Sequence, residues 1–131
     1  MFNNDETIIA ALGGLGEVGK NMYMFMHNDE IFLIDAGVMF PEDELLGIDF
    51  VIQDVNFLKE NENKIKGLII THGHEDHIGG IPFLIQKVNI PTIYAPKIAI
   101  DLINKKLEER NIPYKSIETI NITTVPLLFF I

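Results

Sequence analysis

Three of the four histidines of this 131-residue chain lie within six consecutive residues, directly after an apolar stretch that is typical of a buried strand. His72 and His74 stand two positions apart, so on extended backbone their imidazoles can point to the same side, as one divalent metal ion requires. Asp76 and His77 follow where the chain turns towards a predicted helix. Their side chains can therefore reach a second ion, about 3.5 to 4 Å from the first.

Nitrogen and carboxylate ligands without sulfur suit zinc or manganese, and spacing alone does not choose between them. Two such ions would acidify a bridging water into a hydroxide nucleophile and neutralise charge on a substrate. In that chemistry Asp76 is the candidate catalytic residue, because its carboxylate can orient or deprotonate the water. The alternative is a solvated polar loop, but three histidines and an aspartate after a buried strand favour a binuclear metal site.

Asp35 directly follows the apolar run Ile31–Ile34, which predicts a strand. An acid at the end of a buried strand needs a polar partner. One interpretation is that Asp35 accepts a ring N–H from a metal-bound histidine and thereby selects the tautomer of that histidine. The other is an Asx turn that caps the loop. The residues alone leave both interpretations open.

A glycine-rich stretch, Gly14–Gly19, matches the dinucleotide-binding pattern G-x-G-x-x-G, and Asp35 follows at nearly the distance of a ribose-binding acid. Gly14, Gly19 and Lys20 also approach the phosphate-loop pattern G-x-x-x-x-G-K, but Asn21 stands where that loop needs Ser or Thr. A dinucleotide site would require a crossover helix over 20–28, where methionines alternate with aromatic residues in a run too short for one. No cofactor-binding residue is therefore assigned to this stretch.

The elements that must position these residues follow from the apolar patterns. We expect strands over 7–12, 21–26, 31–34, 67–71 and 92–95, and helices over 55–65, 81–88 and 97–111. The first three strands, with a polar turn at 27–30, predict an antiparallel start to the sheet. Strand and helix then alternate, which predicts an α/β layered domain.

The composition indicates one globular unit with its own core, since 47% of the residues are hydrophobic and 22% are charged. A net charge of -9 argues against a broad basic face for nucleic acid. The absence of cysteine excludes disulfides, zinc ribbons and thiol catalysis. With no apolar run long enough to span a membrane and no secretory leader, we expect a cytoplasmic protein without a membrane partner.

The motif His72-x-His74-x-Asp76-His77 after an apolar strand resembles the metallo-β-lactamase superfamily. The glycine-rich stretch and the segment from Asp35 to Asp49, with its string Phe-Pro-Glu-Asp-Glu-Leu-Leu-Gly, are similar to the N-terminal part of the ribonuclease J family. The resemblance implies the N-terminal half of an αββα sandwich, with a mixed sheet and helices on one face. A small departure is Gln53, where the family usually shows proline.

The resemblance also implies 5′-to-3′ exonuclease and endonuclease activity in RNA processing and decay, with two zinc ions and a role for manganese or magnesium. His72 and His74 would ligate the first ion, and Asp76 and His77 the second. The strand that ends in Asp35, together with the glycine-rich turn, would support the site and bind no nucleotide.

The remaining family ligands and the β-CASP domain would lie beyond Ile131, so residues 1–131 are expected to be a truncated N-terminal portion. We therefore predict weak metal binding and little or no hydrolysis by this chain alone. The terminal run Pro126–Ile131 predicts a strand with an exposed edge, able to pair with a second copy or a complementing chain. Two alternatives are a hydrolase of small esters or thioesters on the same fold, and an inactive fragment or interaction module.

Overall fold

The computed structural model describes residues 5–40, 47, 51–114 and 116–120. Its strands are β1 Thr7–Gly13, β2 Met22–His27, β3 Glu30–Ile34, β4 Ile65–Ile69, β5 Ile93–Ala95 and β6 Ile117–Thr119. Its helices are α1 Asn56–Glu60, α2 Glu75–Ile78, α3 Ile81–Lys87 and α4 Lys97–Glu109, with a 3₁₀ turn at Glu62–Lys64. In this part of the chain no helix is long and apolar enough to cross a membrane.

The strands of the described residues form one sheet in chain order, β1 to β6. β1, β2 and β3 are antiparallel, and β3, β4, β5 and β6 are parallel. Asn28 and Asp29 both have positive φ in the turn between β2 and β3, as a two-residue type I′ hairpin requires. The predicted mixed α/β sheet with an antiparallel start is confirmed.

Strict alternation in β2 decides which face of the sheet carries the core. Met22, Met24 and Met26 are buried, while Phe25 between them stays 37% exposed. The cross-strand partners of the buried methionines lie on the same face. Every described α-helix contributes buried side chains to the one cluster on that face, among them Leu58, Ile78, Ile81, Leu84, Ile103 and Leu107. The helices therefore cover one face of the sheet, as predicted.

Several predicted boundaries were wrong. The helix expected over 55–65 ends at Glu60, because Ile65 already pairs with Ile31 as the first residue of β4. β4 then ends at Ile69 rather than at Thr71. The last predicted helix ends at Glu109 instead of 111, and its Leu102, expected on the buried face, is 41% exposed.

Two short elements, α2 and β6, were not predicted at all. Each has too few residues for an apolar period to show. The terminal run 126–131 lies outside the described residues, as does most of the acidic loop at 41–50.

Candidate metal centre

The predicted ligands lie at one edge of the sheet because β3 and β4 are parallel and end side by side. Asp35 follows β3, and the segment from Thr71 to His74 follows β4. α2 then carries Asp76 and His77 back across this edge. The carboxyl ends of parallel strands are where α/β proteins commonly place their sites.

Asp35 is the buried polar centre of the site, with 3% of its surface exposed. Its carboxylate accepts three hydrogen bonds of 2.8 Å, from the backbone N–H and hydroxyl of Thr71 and from Nδ1 of His77. Its backbone has φ +60, a left-handed conformation that aspartate tolerates better than most residues. The structure thus contains the histidine contact that one of the two interpretations of Asp35 requires.

This network assigns the tautomers of two histidines. His77 donates its Nδ1–H to Asp35, so in the neutral ring Nε2 is the nitrogen without a proton. The Thr71 hydroxyl donates to Asp35, so it accepts from Nδ1–H of His72 at 3.0 Å, and Nε2 of His72 is likewise the nitrogen without a proton. Desolvation, followed by the neighbouring rings of His77 and His74, lowers the pKa of His72 below its ordinary value. A neutral imidazole is the form that binds a metal ion.

The four predicted ligands meet as two pairs. Nε2 of His72 lies 3.2 Å from Nδ1 of His74, and Nε2 of His77 lies 3.4 Å from Oδ2 of Asp76. Two ligands at tetrahedral positions around one zinc ion are separated by about 3.3 Å, given bond lengths near 2.0 to 2.1 Å. The pairs are adjacent, since the rings of His72 and His77 have centroids 4.0 Å apart.

Each pair supplies only part of a coordination shell. Among the residues that the structure describes, no group of three or more His, Asp or Glu side chains is arranged to hold a metal ion. Zinc takes about four ligands in most protein sites. The donor types and spacings fit one ion per pair, and each ion would need further ligands from solvent or from other residues.

Tertiary hydrogen bonds hold α2, which has only four residues. The carbonyls of Glu75, Asp76 and His77 accept backbone N–H groups from Val38, Asn21 and Ala36, at 3.2, 3.1 and 2.7 Å. A helix this short leaves most of its carbonyls without an intrahelical partner, and these bonds satisfy those of Asp76 and His77, while the Glu75 carbonyl also accepts the N–H of Gly79. The segment 36–38, called the platform below, therefore holds the helix that carries two of the predicted ligands, Asp76 and His77.

Close backbone approach at this platform requires glycine. A Cβ added at Gly37 would overlap the carbonyl group of Asp76, and one at Gly80 would come within 2.7 Å of the carbonyl oxygen of Gly37. No side chain fits at these distances. The glycines of this region thus set how closely α2 can approach the end of β3.

The glycine-rich stretch does not have the surroundings of a dinucleotide site. β2, an antiparallel strand, follows it where such a site needs a crossover helix. Lys20, the residue that resembled a phosphate-loop lysine, forms an ion pair with Glu17 at 3.1 Å. The N–H of Gly14 donates to the same carboxylate, and this hydrogen bond, followed by the contact with Lys20, lowers the pKa of Glu17. The stretch is a turn closed by its own side chains.

An open cleft of about 730 Å³ lies beside Asp76, between the glycine-rich turn and the segment after β3. Three carboxylates line it, those of Glu17, Glu75 and Asp76, together with apolar Val18 and Phe40. Glu75 also forms an ion pair with Lys106 of α4. A cleft with this many acids repels a phosphate group unless cations lie between them.

His27, the fourth histidine, lies outside the site. It ends β2, and its Nδ1 lies 2.9 Å from the hydroxyl of Thr7 on β1. Asn21, by contrast, contacts both Asp76 and His77 but was not a predicted site residue. The signal that could have identified it is its position directly after the glycine-rich turn, at the entrance to β2.

The sequence of this chain matches one protein family over most of its length and is similar to named bacterial proteins. The family described as Metallo-beta-lactamase superfamily matches residues 15–127. Ribonuclease J 1 of Streptococcus pyogenes is 56% identical over 108 residues, covering 82% of this chain and 19% of the relative. Ribonuclease J of Synechocystis is 48% identical over 117 residues, covering 89% of this chain and 18% of the relative. The chain therefore spans about a fifth of the length of these relatives.

Two solved structures share the fold. The rubredoxin oxygen:oxidoreductase of Desulfovibrio gigas superposes with a TM-score of 0.51 at 17% identity, over 77% of this chain and 22% of that one. The short form of human tRNase Z superposes with a TM-score of 0.50 at 19% identity, over 92% of this chain and 49% of that one. Together with the family match, they confirm the expected partial metallo-β-lactamase fold.

Proposed function

The chain belongs to the metallo-β-lactamase superfamily, and from that membership we propose that it forms part of the two-metal centre of a ribonuclease J-type enzyme that hydrolyses RNA. The observation that carries the proposal is the arrangement of two donor pairs at one sheet edge. Nε2 of His72 lies 3.2 Å from Nδ1 of His74, and Nε2 of His77 lies 3.4 Å from Oδ2 of Asp76. The hydrogen bonds at Nδ1 leave Nε2 of both His72 and His77 as the unprotonated nitrogen, the form that ligates an ion. Similarity to proteins named ribonuclease J favours RNA over other substrates.

The proposed roles follow from these contacts. His72 and His74 hold one ion, and Asp76 and His77 hold the other. When bound, the ions supply an acidified water as nucleophile and neutralise charge on the scissile phosphate. Asp76 orients or deprotonates that water. Asp35 keeps the ring of His77 in the tautomer that presents Nε2, and it acts on His72 through the Thr71 hydroxyl.

RNA binding through metal ions agrees with the charge of the chain. With a net charge of -9 and an acidic cleft beside Asp76, this surface does not attract a phosphate backbone unaided. Zinc as the resident ion, activation by manganese or magnesium, combined exonuclease and endonuclease action, and a cytoplasmic location belong to the same proposal. So does pairing with a second or complementing chain through residues 126–131, which are outside the described part.

Metal binding is the first test. The purified chain is titrated with Zn²⁺ and with Mn²⁺, and bound metal is counted after equilibrium dialysis. We expect the double variant His72→Ala, His74→Ala to lose the ion held by that pair. The matched control is His27→Ala, which removes a histidine from the hairpin and is expected to keep the stoichiometry of the unmodified chain. Equal metal content in all three proteins would refute the proposed site.

Substrate class is the second test. The chain is assayed on 5′-monophosphorylated RNA and on a generic thioester, each with and without added metal. We expect metal-dependent retention of RNA with little or no hydrolysis, because each donor pair supplies only part of a coordination shell. Thioester hydrolysis without RNA retention would replace RNA as the substrate class, and full phosphodiester turnover would contradict the expected weakness of this chain alone.

A further inference from the structure

We propose that Asn21 is a positioning residue for Asp76, and that the glycine-rich turn exists to hold the Asn21 amide against that carboxylate. This inference rests on the proposed function, since it concerns the Asp76–His77 pair. It gives a role to a motif that resembles a nucleotide-binding loop and lacks the surroundings of one.

The side chain of Asn21 reaches three atoms of the pair. Its Nδ2 donates to the backbone carbonyl of Asp76 at 3.0 Å and to Oδ2 of the same residue at 3.2 Å. It also lies 3.5 Å from Nε2 of His77. Because both Asp76 atoms are acceptors, the amide nitrogen must be the atom that faces them, which settles the orientation of the amide.

The backbone of Asn21 is hydrogen-bonded to Asp76 as well. Its N–H donates to the carbonyl of Asp76 at 3.1 Å, and its carbonyl accepts the N–H of Gly37 at 3.0 Å. The residue is thus locked between α2 and the platform after β3. A side chain held at both its backbone and its amide has few rotamers, so it can restrict the rotamer of the carboxylate that it contacts.

The turn before Asn21 is shaped to admit this side chain. A Cβ at Gly14, where φ is +83, would lie 2.5 Å from Oδ1 of Asn21. Only glycine both adopts that backbone conformation and leaves space for the amide oxygen. The carbonyl of Lys20, the next residue back along the chain, is held by Gln53 at 2.6 Å.

A neutral donor suits a carboxylate that has to hold a cation. An amide fixes the orientation of Asp76 by a hydrogen bond and leaves the negative charge for the ion. A lysine at the same place would compete with the ion for that charge. The neighbouring cation, Lys20, is paired with Glu17 instead. The turn therefore offers an uncharged donor to Asp76 and keeps its own positive charge on Glu17.

The test compares two amide removals in the same part of the fold. Asn21→Leu keeps the size of the side chain and removes the donor to Asp76. Gln53→Met does the same to an amide that bonds only the backbone of this region, at Lys20 and Gly37. Each variant is made in the full chain and in the His72→Ala, His74→Ala background, where the Asp76–His77 pair is the remaining proposed site. Mn²⁺ affinity is read from water-proton relaxation, and folding is read from thermal denaturation.

We expect Asn21→Leu to weaken Mn²⁺ binding in the double-alanine background by about tenfold, the scale seen when a partner of a metal ligand is removed. Gln53→Met, which loosens the turn but keeps the donor to Asp76, is expected to lower the melting temperature with a smaller loss of affinity than Asn21→Leu. Equal losses of affinity in the two variants would overturn the role of the Asn21 amide. Equal Mn²⁺ affinities for Asn21→Leu and its parent, where the parent binds, would overturn the role of Asn21 and leave the proposed function standing. A parent and an unmodified chain that both fail to bind Mn²⁺ and Zn²⁺ would overturn the two together.

Discussion

The β2–β3 hairpin and the segment 71–80 are organised by different forces. In the hairpin, buried side chains alternate with exposed ones, and the turn residues match the required φ values. In the segment 71–80, a four-residue helix is held by backbone hydrogen bonds to residues 21 and 36–38. The hairpin is specified by local pattern and apolar burial. The site is specified by contacts between residues far apart in the chain.

This difference means that stability and metal binding should respond to different substitutions. Removing apolar volume beneath the sheet costs free energy of unfolding in proportion to the cavity left. Adding or removing a single group at the platform, residues 36–38, is expected to move the donor pairs and to cost less unfolding free energy than such a truncation.

The largest effect is expected from Leu33→Ala in β3, where the side chain is fully buried. The free energy of unfolding should fall by about 3 kcal/mol, as for other buried leucine truncations. Urea denaturation followed by circular dichroism measures it. At urea-free conditions where the variant is still folded, its metal affinity should equal that of the unmodified chain. A large loss of affinity in the folded variant would show that the two regions are coupled.

Gly37→Ala should weaken ion binding as well as stability. The added methyl overlaps the carbonyl of Asp76, so α2 has to shift away from the platform. We expect a loss of about 2 kcal/mol in unfolding free energy, the scale of overpacking, together with loss of ion binding at the Asp76–His77 pair. Calorimetric titration with Zn²⁺ and chemical denaturation measure the two quantities.

The control for that substitution is Gly16→Ala. Among the residues that the structure describes, none lies within 4 Å of a Cβ at Gly16, so the positive φ of +70 is what penalises alanine, by about 1 kcal/mol. Ion binding should be retained. If Gly37→Ala also retained full ion binding, the platform would not set the position of the pair.

Asp35→Asn tests the buried carboxylate with almost no change in size. An asparagine cannot accept all three hydrogen bonds that Asp35 accepts. We expect a loss of about 1 kcal/mol in stability and at least tenfold weaker ion binding. Long-range ¹H–¹⁵N spectra of the histidine rings should show that His77 no longer prefers the tautomer protonated on Nδ1. An unchanged tautomer would contradict the role assigned to Asp35.

The smallest effect is expected from Ile9→Ser on the face of the sheet opposite the described helices, where Ile9 is 71% exposed. The unfolding free energy should change by less than about 0.5 kcal/mol, with ion binding unchanged. Thermal denaturation and the metal titration measure both. A large destabilisation would show that this face is covered in solution, and a matching change in size-exclusion mass would identify a second copy as the cover.

The parts of the fold that apolar pattern controls could be predicted from the sequence. The alternation of Met22, Met24 and Met26 places β2 and its buried face, and the period of Ala99, Ile103 and Leu107 places α4. Boundaries were less accurate, since the start of β4 at Ile65 depends on its pairing with β3. α2 could not be predicted, because its carbonyl partners come from elsewhere in the chain.

The sequence by itself determined which residue types are available for the site: three histidines and an aspartate directly after a buried strand, with a second aspartate ending another. Only the tertiary structure decided how they meet. Parallel pairing of β3 with β4 places Asp35 beside Thr71 and His77, and the hydrogen bonds that Asp35 accepts then select the ring nitrogens that carry no proton. Spacing along a chain restricts which side chains can converge, but the direction of a lone pair depends on partners that folding brings together.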